Sequence, residues 1–473
     1  MQKKLRIYIW GAGTGAIAEI IQKITGFASV WLLNQTLVKS QYGNYEFALA
    51  LVSMALILGS GGLQNVAMYR LSRLKAPPEK LAGRELAGSL LSLSLLIAAA
   101  IALLLVAALP IVTSIAGKPS LRFWIGGLVL LIPLRVARGI YKNWYEARQL
   151  VAESIFYSKI APTTAKVAFL SISWMAWPTP LGVVVAILFS ESCPLAAWYA
   201  KTPVNLFPRP RLLSWWDIKY ASKLMMTRSL SKTNKRADIL MMGGLATSAA
   251  TAEYVIASKL SIIVLASHKI MNKILRPRIG KFISDSEWLK AETEYDKTRL
   301  ISLSFSLLYG AIVAYFGVFM LSIFGDYQSA YTATMILVAT YIITVSFGMN
   351  GEYLNIAGYA SWSLIIALLT LFINISLNYM LIPALDEVGA SIAMLVSIIF
   401  TNSLCAAVVY KLDGIKVYSI DVLAYTLISS SVAILTGFGI MGNILASIIL
   451  IFISATIILR NRLFVKRLVE TLV

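Results

Sequence analysis

Long apolar runs broken by short polar segments recur along the whole chain, near residues 11–37, 41–66, 86–112, 122–141, 151–175, 180–200, 216–242, 252–275, 300–324, 329–349, 360–382, 387–410, 419–438 and 441–459. A helix of about 20 apolar residues crosses about 30 Å of hydrocarbon. The pattern therefore predicts an all-α polytopic membrane protein of about 14 transmembrane helices. A membrane barrel would need strands of about 10 residues that alternate in polarity, whereas the run from Ile97 to Leu109 is apolar throughout. The two halves also repeat. Tyr45 pairs with Tyr254 at an offset of 209, Gly182 with Gly389 at 207, and Lys201 with Lys411 at 210. These offsets predict two six-helix bundles, residues 1–200 and 216–412, followed by two additional helices and a basic tail over 413–473. Joining the bundles is KTPVNLFPRPRLLSWW, read as a connector over 201–215 that lies along the cytoplasmic headgroups. Both bundles would share one orientation, related by an axis along the membrane normal.

Composition agrees with a lipid-embedded chain: of 473 residues, 58% are hydrophobic and 14% charged, against about 25% charged in soluble domains. The net charge of +20 points to anionic partners. Nucleic acid is excluded, because the basic residues form no soluble domain that could enter a groove. Lys and Arg fix the orientation, since short loops rich in them stay cytoplasmic. With the N-terminus inside, 27 fall on cytoplasmic segments and three (Lys39, Lys118, Arg122) outside. Both termini are then cytoplasmic. The basic start MQKKLRIYIW reads as part of a retained first span rather than a cleaved signal, for it lacks a small-residue cleavage motif.

The remaining twelve basic residues lie within spans: Lys23, Arg135, Lys159, Lys166, Lys223, Arg228, Lys232, Lys235, Arg236, Lys259, Lys269 and Lys273. Each would cost about 2.5–3.5 kcal/mol facing lipid at the bilayer centre, so they cannot all do so. Arg228, Lys232, Lys235 and Arg236 share an arc of about 100°, and Lys259, Lys269 and Lys273 one of about 80°, on ideal helices. Lys159 and Lys166, seven apart, share a face. A water-filled cavity lined with cations between the bundles would explain them together. Other readings stay open: Lys223, Arg228 and Lys273 can snorkel to headgroups, and Lys23 can pair with Glu19 four residues earlier. Asp238 either neutralises Lys235 or Arg236, or couples transport to an ion. His268, the only histidine, reads better as a packing residue than as a proton relay. The pattern Gly11, Gly13, Ala16 mimics a dinucleotide loop but lacks the βαβ context, and close helix packing explains it. Cys193 and Cys405 sit in apolar runs and form neither a disulfide framework nor a metal motif.

Several stretches resemble a known family. NKRADILMMGGLATSAATAEYVIASKL, with Asp238, Gly243, Gly244 and Tyr254, is similar to the seventh-to-eighth-helix signature of the Wzx-type polysaccharide flippases (O-antigen and exopolysaccharide) in the multidrug/oligosaccharidyl-lipid/polysaccharide (MOP) exporter superfamily. NIAGYASWSLIIALLTLFINISLNYMLIPALDEVGASIAMLVS, with Gly358, Asn374, Asn378, Pro383, Gly389 and Ala390, resembles the eleventh-to-twelfth-helix signature. NQTLVKSQYGNYEFA and GSGGLQNVAMYRLS resemble the first two helices. The resemblance implies an alternating-access carrier in a bacterial inner membrane that moves undecaprenyl-pyrophosphate-linked glycan to the outer leaflet. It implies the anionic lipid-linked oligosaccharide, membrane lipids and other polysaccharide-assembly membrane proteins as partners, and no cofactor, with H+ or Na+ coupling left open. On this reading Lys23, Lys159, Lys166, Arg228, Lys232, Lys235, Arg236, Lys259, Lys269 and Lys273 face the substrate, while Asp238 and Glu19 gate or couple. The rival in the same superfamily is a cation-coupled multidrug antiporter, for which only Glu19, Glu191 and Asp238 offer acids at depth. An enzyme is not expected, since no catalytic triad, metal cluster or nucleotide loop is present and the outer loops are short.

Overall fold

The computed structural model describes residues 2–73, 81–202, 214–219, 221–222, 225, 236–285, 287–414 and 420–461, with the side chains of these ranges except 2–16, 81–82, 288 and 420. The chain divides into two compact units, Met1–Arg236 and Ala237–Val473. All regular structure among the described residues is helical.

The first unit holds α1 (Gln2–Thr36), α2 (Lys39–Gly59), α3 (Leu63–Leu71), α4 (Leu81–Ala107), α5 (Leu109–Ile115), α6 (Leu121–Leu128), α7 (Leu131–Ala147), α8 (Val151–Ile155), a π turn at Phe156–Ile160, α9 (Ala161–Ala176) and α10 (Pro180–Lys201). In the second unit are α11 (Ala237–Leu245), α12 (Ser248–Ser261), a 3-10 segment at Ile262–Leu265, α13 (Ala266–Ser284), α14 (Trp288–Ser322), α15 (Tyr331–Ser346), α16 (Asn350–Ile356), α17 (Ala360–Asp413), α18 (Ile420–Gly437) and α19 (Asn443–Arg460).

Nine helical segments among the described residues are long and apolar enough to cross a bilayer. The other five expected spans fall short of that measure for identifiable reasons. The 54 residues of α17 hold two spans that meet at Asp386, whose φ of 46° and ψ of −126° break the helix just after Pro383. A π turn interrupts the fifth span ahead of Pro162, which has no N–H to give to the helix ladder. The apolar part of the thirteenth, Asp421–Gly437, is short, and the first and seventh are only partly described. The result is a polytopic membrane protein with the expected helix order.

Burial follows the bilayer. An apolar stretch of 18 residues within Gly83–Ala107 is only 28% buried, as expected of a helix that faces acyl chains, whereas the corresponding stretch within Gln328–Ile356 is 83% buried. The difference arises because the two C-terminal helices cover the second unit. Ser447 Oγ donates to Ala311 O at 3.0 Å and Ser454 Oγ to Ser304 O at 2.9 Å. Both pairs are seven residues apart and run in opposite chain directions, so small residues let α19 lie close along α14.

The duplication seen in the offsets is built into the bonding of each unit. Asn44 Nδ2 donates to Ser120 Oγ at 2.9 Å in the first unit, and Ser329 Oγ donates to Glu253 Oε1 at 2.6 Å in the second; both members are displaced by 209 positions. Gly182 and Gly389 are likewise equivalent: a methyl group on Gly182 would lie 2.3 Å from Trp177 O, and one on Gly389 2.4 Å from Leu381 O. Each glycine lets the second helix of a hairpin press against the backbone of the first.

The division between the units falls at Arg236, beyond the connector expected over 201–215, most of which lies outside the described residues. Residues after the connector pack on the first unit. Arg70 forks onto Asp217, with Nε to Oδ1 at 2.7 Å and Nη2 to Oδ2 at 2.5 Å, and Trp216 meets Tyr69 with ring centroids 5.2 Å apart.

Gly182→Ala and Gly389→Ala are each expected to cost about 1–3 kcal/mol through forced backbone movement. Gly126→Ala, where nothing lies within 4 Å, should be neutral or stabilising by up to about 1 kcal/mol. Thermal unfolding of the three variants in detergent checks the contrast.

Candidate functional site

In the first unit an ionic cluster forms where α2, α7, α9 and α10 bring charged residues inward. Arg135 and Arg138 stand three apart on α7 and so project from one face. Glu191, 8% exposed in the middle of α10, accepts from Arg135 Nε at 2.8 Å through Oε1 and from Arg138 Nη1 through Oε2. Lys166 on α9 lies within electrostatic reach of Glu46, Arg135 and Glu191. Glu46, buried on α2, accepts from Tyr42 Oη at 2.9 Å, and Arg236 acts electrostatically on Tyr45 beside it. Removing one partner of a buried ion pair costs about 3–5 kcal/mol, so this cluster also fixes how α10 sits on α7.

A second polar centre lies in the other unit. Asp238, 7% exposed on α11, accepts from Tyr254 Oη at 3.0 Å through Oδ2 and from Asn378 Nδ2 at 2.8 Å through Oδ1. Asn378 Nδ2 also reaches Asn374 Oδ1 at 3.0 Å. Spacing by four on α17 puts the two asparagines on one face. The hydrogen-bond partners of Asp238 among the described residues are thus neutral; Lys235 lies outside the described residues. Asn378 Oδ1 is buried with no hydrogen-bond partner. Carboxylate and amide oxygens of this kind suit a proton or a hard cation.

The other expected residues are dispersed. Lys23 and Glu19 on α1 and Lys269 and Lys273 on α13 have exposed side chains, and Lys159, in the π turn, and Lys259, on α12, are half-buried. Arg228, Lys232 and Lys235 lie outside the described residues. His268 shares a hydrogen bond with Asn272 through Nε2 at 2.9 Å. The 3-10 segment at Ile262–Leu265 turns by about 120° per residue instead of 100°. Its four residues re-phase α13 by roughly 80°, so His268 does not point opposite Lys259 as an ideal helix would have it.

Sequence reading counts Arg138, near the end of the run 122–141, among the cytoplasmic basic residues, but α7 runs on to Ala147 and Arg138 joins the cluster. The i, i+3 spacing of Arg135 and Arg138, set against a lone Glu191 within an apolar run, was the available signal. Another pairing it missed joins the hairpin ends of the second unit, where Glu387 hydrogen-bonds Glu253 next to the break at Asp386.

A Tyr254→Phe change removes one donor to a buried carboxylate and should lower stability by about 1.5–3 kcal/mol. In an Asp238→Asn background the loss should shrink, and a double-mutant cycle by chemical unfolding measures the coupling. Strictly additive effects would mean that the bond contributes nothing.

Comparison with known proteins bears on the family and the fold. Residues 32–326 match the family model described as polysaccharide biosynthesis protein. No curated protein matches the sequence. Among solved structures, an inward-facing multidrug resistance MATE family transporter of the MOP superfamily superposes with a TM-score of 0.66 at 16% identity, covering 83% of this chain and 96% of that one. The lipid II flippase MurJ in an inward closed conformation gives 0.67 at 13% identity, covering 95% and 99%. A MOP superfamily transporter from Pyrococcus furiosus, reported with a binding pocket of reverse polarity, gives 0.57 at 14% identity, covering 90% and 96%. With its family model spanning most of the chain and its helices arranged as in these transporters, this chain belongs to the polysaccharide biosynthesis protein family and has the MOP superfamily fold.

Proposed function

We propose that the protein is a flippase that carries undecaprenyl-pyrophosphate-linked glycan from the cytoplasmic to the outer leaflet of a bacterial inner membrane by alternating access. The observation that carries this reading is the grouping of Arg135, Arg138 and Lys166 inside a membrane-embedded unit of a polysaccharide biosynthesis family member. Cations are held within hydrocarbon only at considerable cost, and a pyrophosphate headgroup is the anionic part of such a substrate. The polyprenyl tail stays in lipid while the headgroup crosses. Outward movement of an anion is also favoured by an inside-negative potential, by about 2.3 kcal/mol per charge per 100 mV.

Asp238 with Tyr254, Asn374 and Asn378 is the coupling centre on this reading, taking up a proton or Na+ in one conformation and releasing it in the other. Lys23, Lys159 and Arg236 in the first unit and Lys259, Lys269 and Lys273 in the second supply further positive charge for the headgroup on this reading. A multidrug antiporter is favoured less, because Glu191 is matched by two arginines and Glu46 lies beside Lys166, which leaves Asp238 as the acid best able to attract a cation.

In proteoliposomes loaded with labelled lipid-linked oligosaccharide, the Arg135→Ala/Arg138→Ala double variant should transfer at least about tenfold more slowly than the parent, equivalent to about 1.4 kcal/mol. Asp238→Asn should still bind substrate but lose any response to an imposed H+ or Na+ gradient. Undiminished transfer by the double variant, or drug efflux in place of lipid transfer, would overturn the assignment.

A further inference from the structure

Arg135 and Arg138 hold Glu191 differently from the forked pairs Arg70–Asp217 and Arg276–Glu352, each through a single N–H as Arg299 holds Asp296. Arg70 meets Asp217 as a two-pronged fork through Nε and Nη2. Arg276 forks onto Glu352 in the same way, with Nε to Oε2 at 2.6 Å and Nη2 to Oε1 at 2.5 Å. A planar guanidinium favours this arrangement, because two parallel N–H groups match two carboxylate oxygens. Glu191 instead is stretched between two guanidiniums, giving Oε1 to Arg135 and Oε2 to Arg138, each through one N–H. Of the five N–H groups on each arginine, one is engaged by Glu191 and the other four have no hydrogen bond among the described residues. The side chains of Arg135 and Arg138 are 24% and 21% exposed while that of Glu191 is 9% exposed, so the guanidinium-bearing side chains are more accessible than the carboxylate that joins them.

We infer that Glu191 is an internal stand-in for the substrate's diphosphate, occupying the paired guanidiniums of Arg135 and Arg138 in the unloaded carrier and giving them up when the headgroup arrives. This rests on the flippase reading above. A diphosphate diester brings two negative charges and four non-bridging oxygens where the carboxylate has one charge and two oxygens. It can therefore satisfy both forks at once. With Glu191 withdrawn, Arg135, Arg138 and Lys166 set against Glu46 leave a charge of +2, which balances the diester. On the far side of the cycle Glu191 competes for the same donors and helps the headgroup leave. The carboxylate thus sets how tightly the carrier holds its load.

The test measures binding to the full-length protein in nanodiscs of two probes, polyprenyl diphosphate and inorganic pyrophosphate, alongside leaflet transfer. Glu191→Gln keeps the shape and removes the competing charge. It is expected to bind polyprenyl diphosphate about tenfold or more tightly than the parent while transferring it more slowly, because release becomes limiting. Glu191→Asp keeps the charge on a shorter arm that reaches the arginines less well, and an affinity between those of the parent and the glutamine variant is expected; it also serves if Glu191→Gln does not fold. Tightening for inorganic pyrophosphate as well would show that the headgroup alone is recognised, and tightening for the lipid alone that the attached chain is needed. Unchanged or weaker binding by Glu191→Gln and Glu191→Asp, with binding still lost in Arg135→Ala/Arg138→Ala, would overturn the stand-in role and leave the flippase reading intact. No binding of either probe by the parent protein would overturn both.

Discussion

The structure depends on the cost of placing charge in hydrocarbon. A lone ionised group deep in the bilayer is expelled, neutralised or paired, and Glu191, Glu46 and Asp238 each have polar or ionic company on their own or a neighbouring helix. Glu191 on α10 is held from α7, Glu46 has Tyr42 beside it, and Asp238 on α11 is held from α12 and α17. Apolar packing between helices is weakly selective in lipid, since acyl chains are as apolar as leucine. Bonds of this kind therefore select rotation and register, and the same residues that make the interior polar also fix its geometry.

Duplication supplied one framework, and the two copies have filled it differently. Asn44 with Ser120 and Glu253 with Ser329 occupy equivalent places, an amide in one unit and a carboxylate in the other. Around them the first unit assembled guanidiniums and carboxylates, while the second surrounded one carboxylate with a phenol and two amides. The proposed division of labour follows from this asymmetry. An anion is met by arginines in one unit, and a proton or cation by oxygens in the other.

Much of this was legible in the linear pattern. Apolar length gave a many-helix membrane protein, and three paired residues pointed to the repeat, because both signals are local or periodic. The membership of the sites was less legible. Arg138 looked like a loop residue because hydropathy falls before α7 ends, and Glu191 looked like a stray acid because its partners are more than fifty residues away in sequence. Helical-wheel arithmetic assumed uniform α-helix, and the 3-10 segment before His268 spoiled the phase. Asn374 and Asn378 were marked only by family resemblance; nothing in their immediate surroundings says that they face Asp238.

A carrier has to bind its load and then let it go, and a site that held the headgroup equally well on both sides of the membrane would slow its own turnover. Two features of the first unit bear on this requirement. Arg135 and Arg138 are each engaged by Glu191 through one N–H instead of a fork, so each has donors left to give, and the group that engages them is covalently part of the protein and cannot diffuse away. Exchange between a tethered carboxylate and a diphosphate swaps one set of charge-assisted bonds for another. The guanidiniums are then never left bare in a low-dielectric interior, where an unpaired charge is most costly. A cationic site without such an internal partner would have to bring counter-ions in with each empty return, or hold the substrate too tightly to release it.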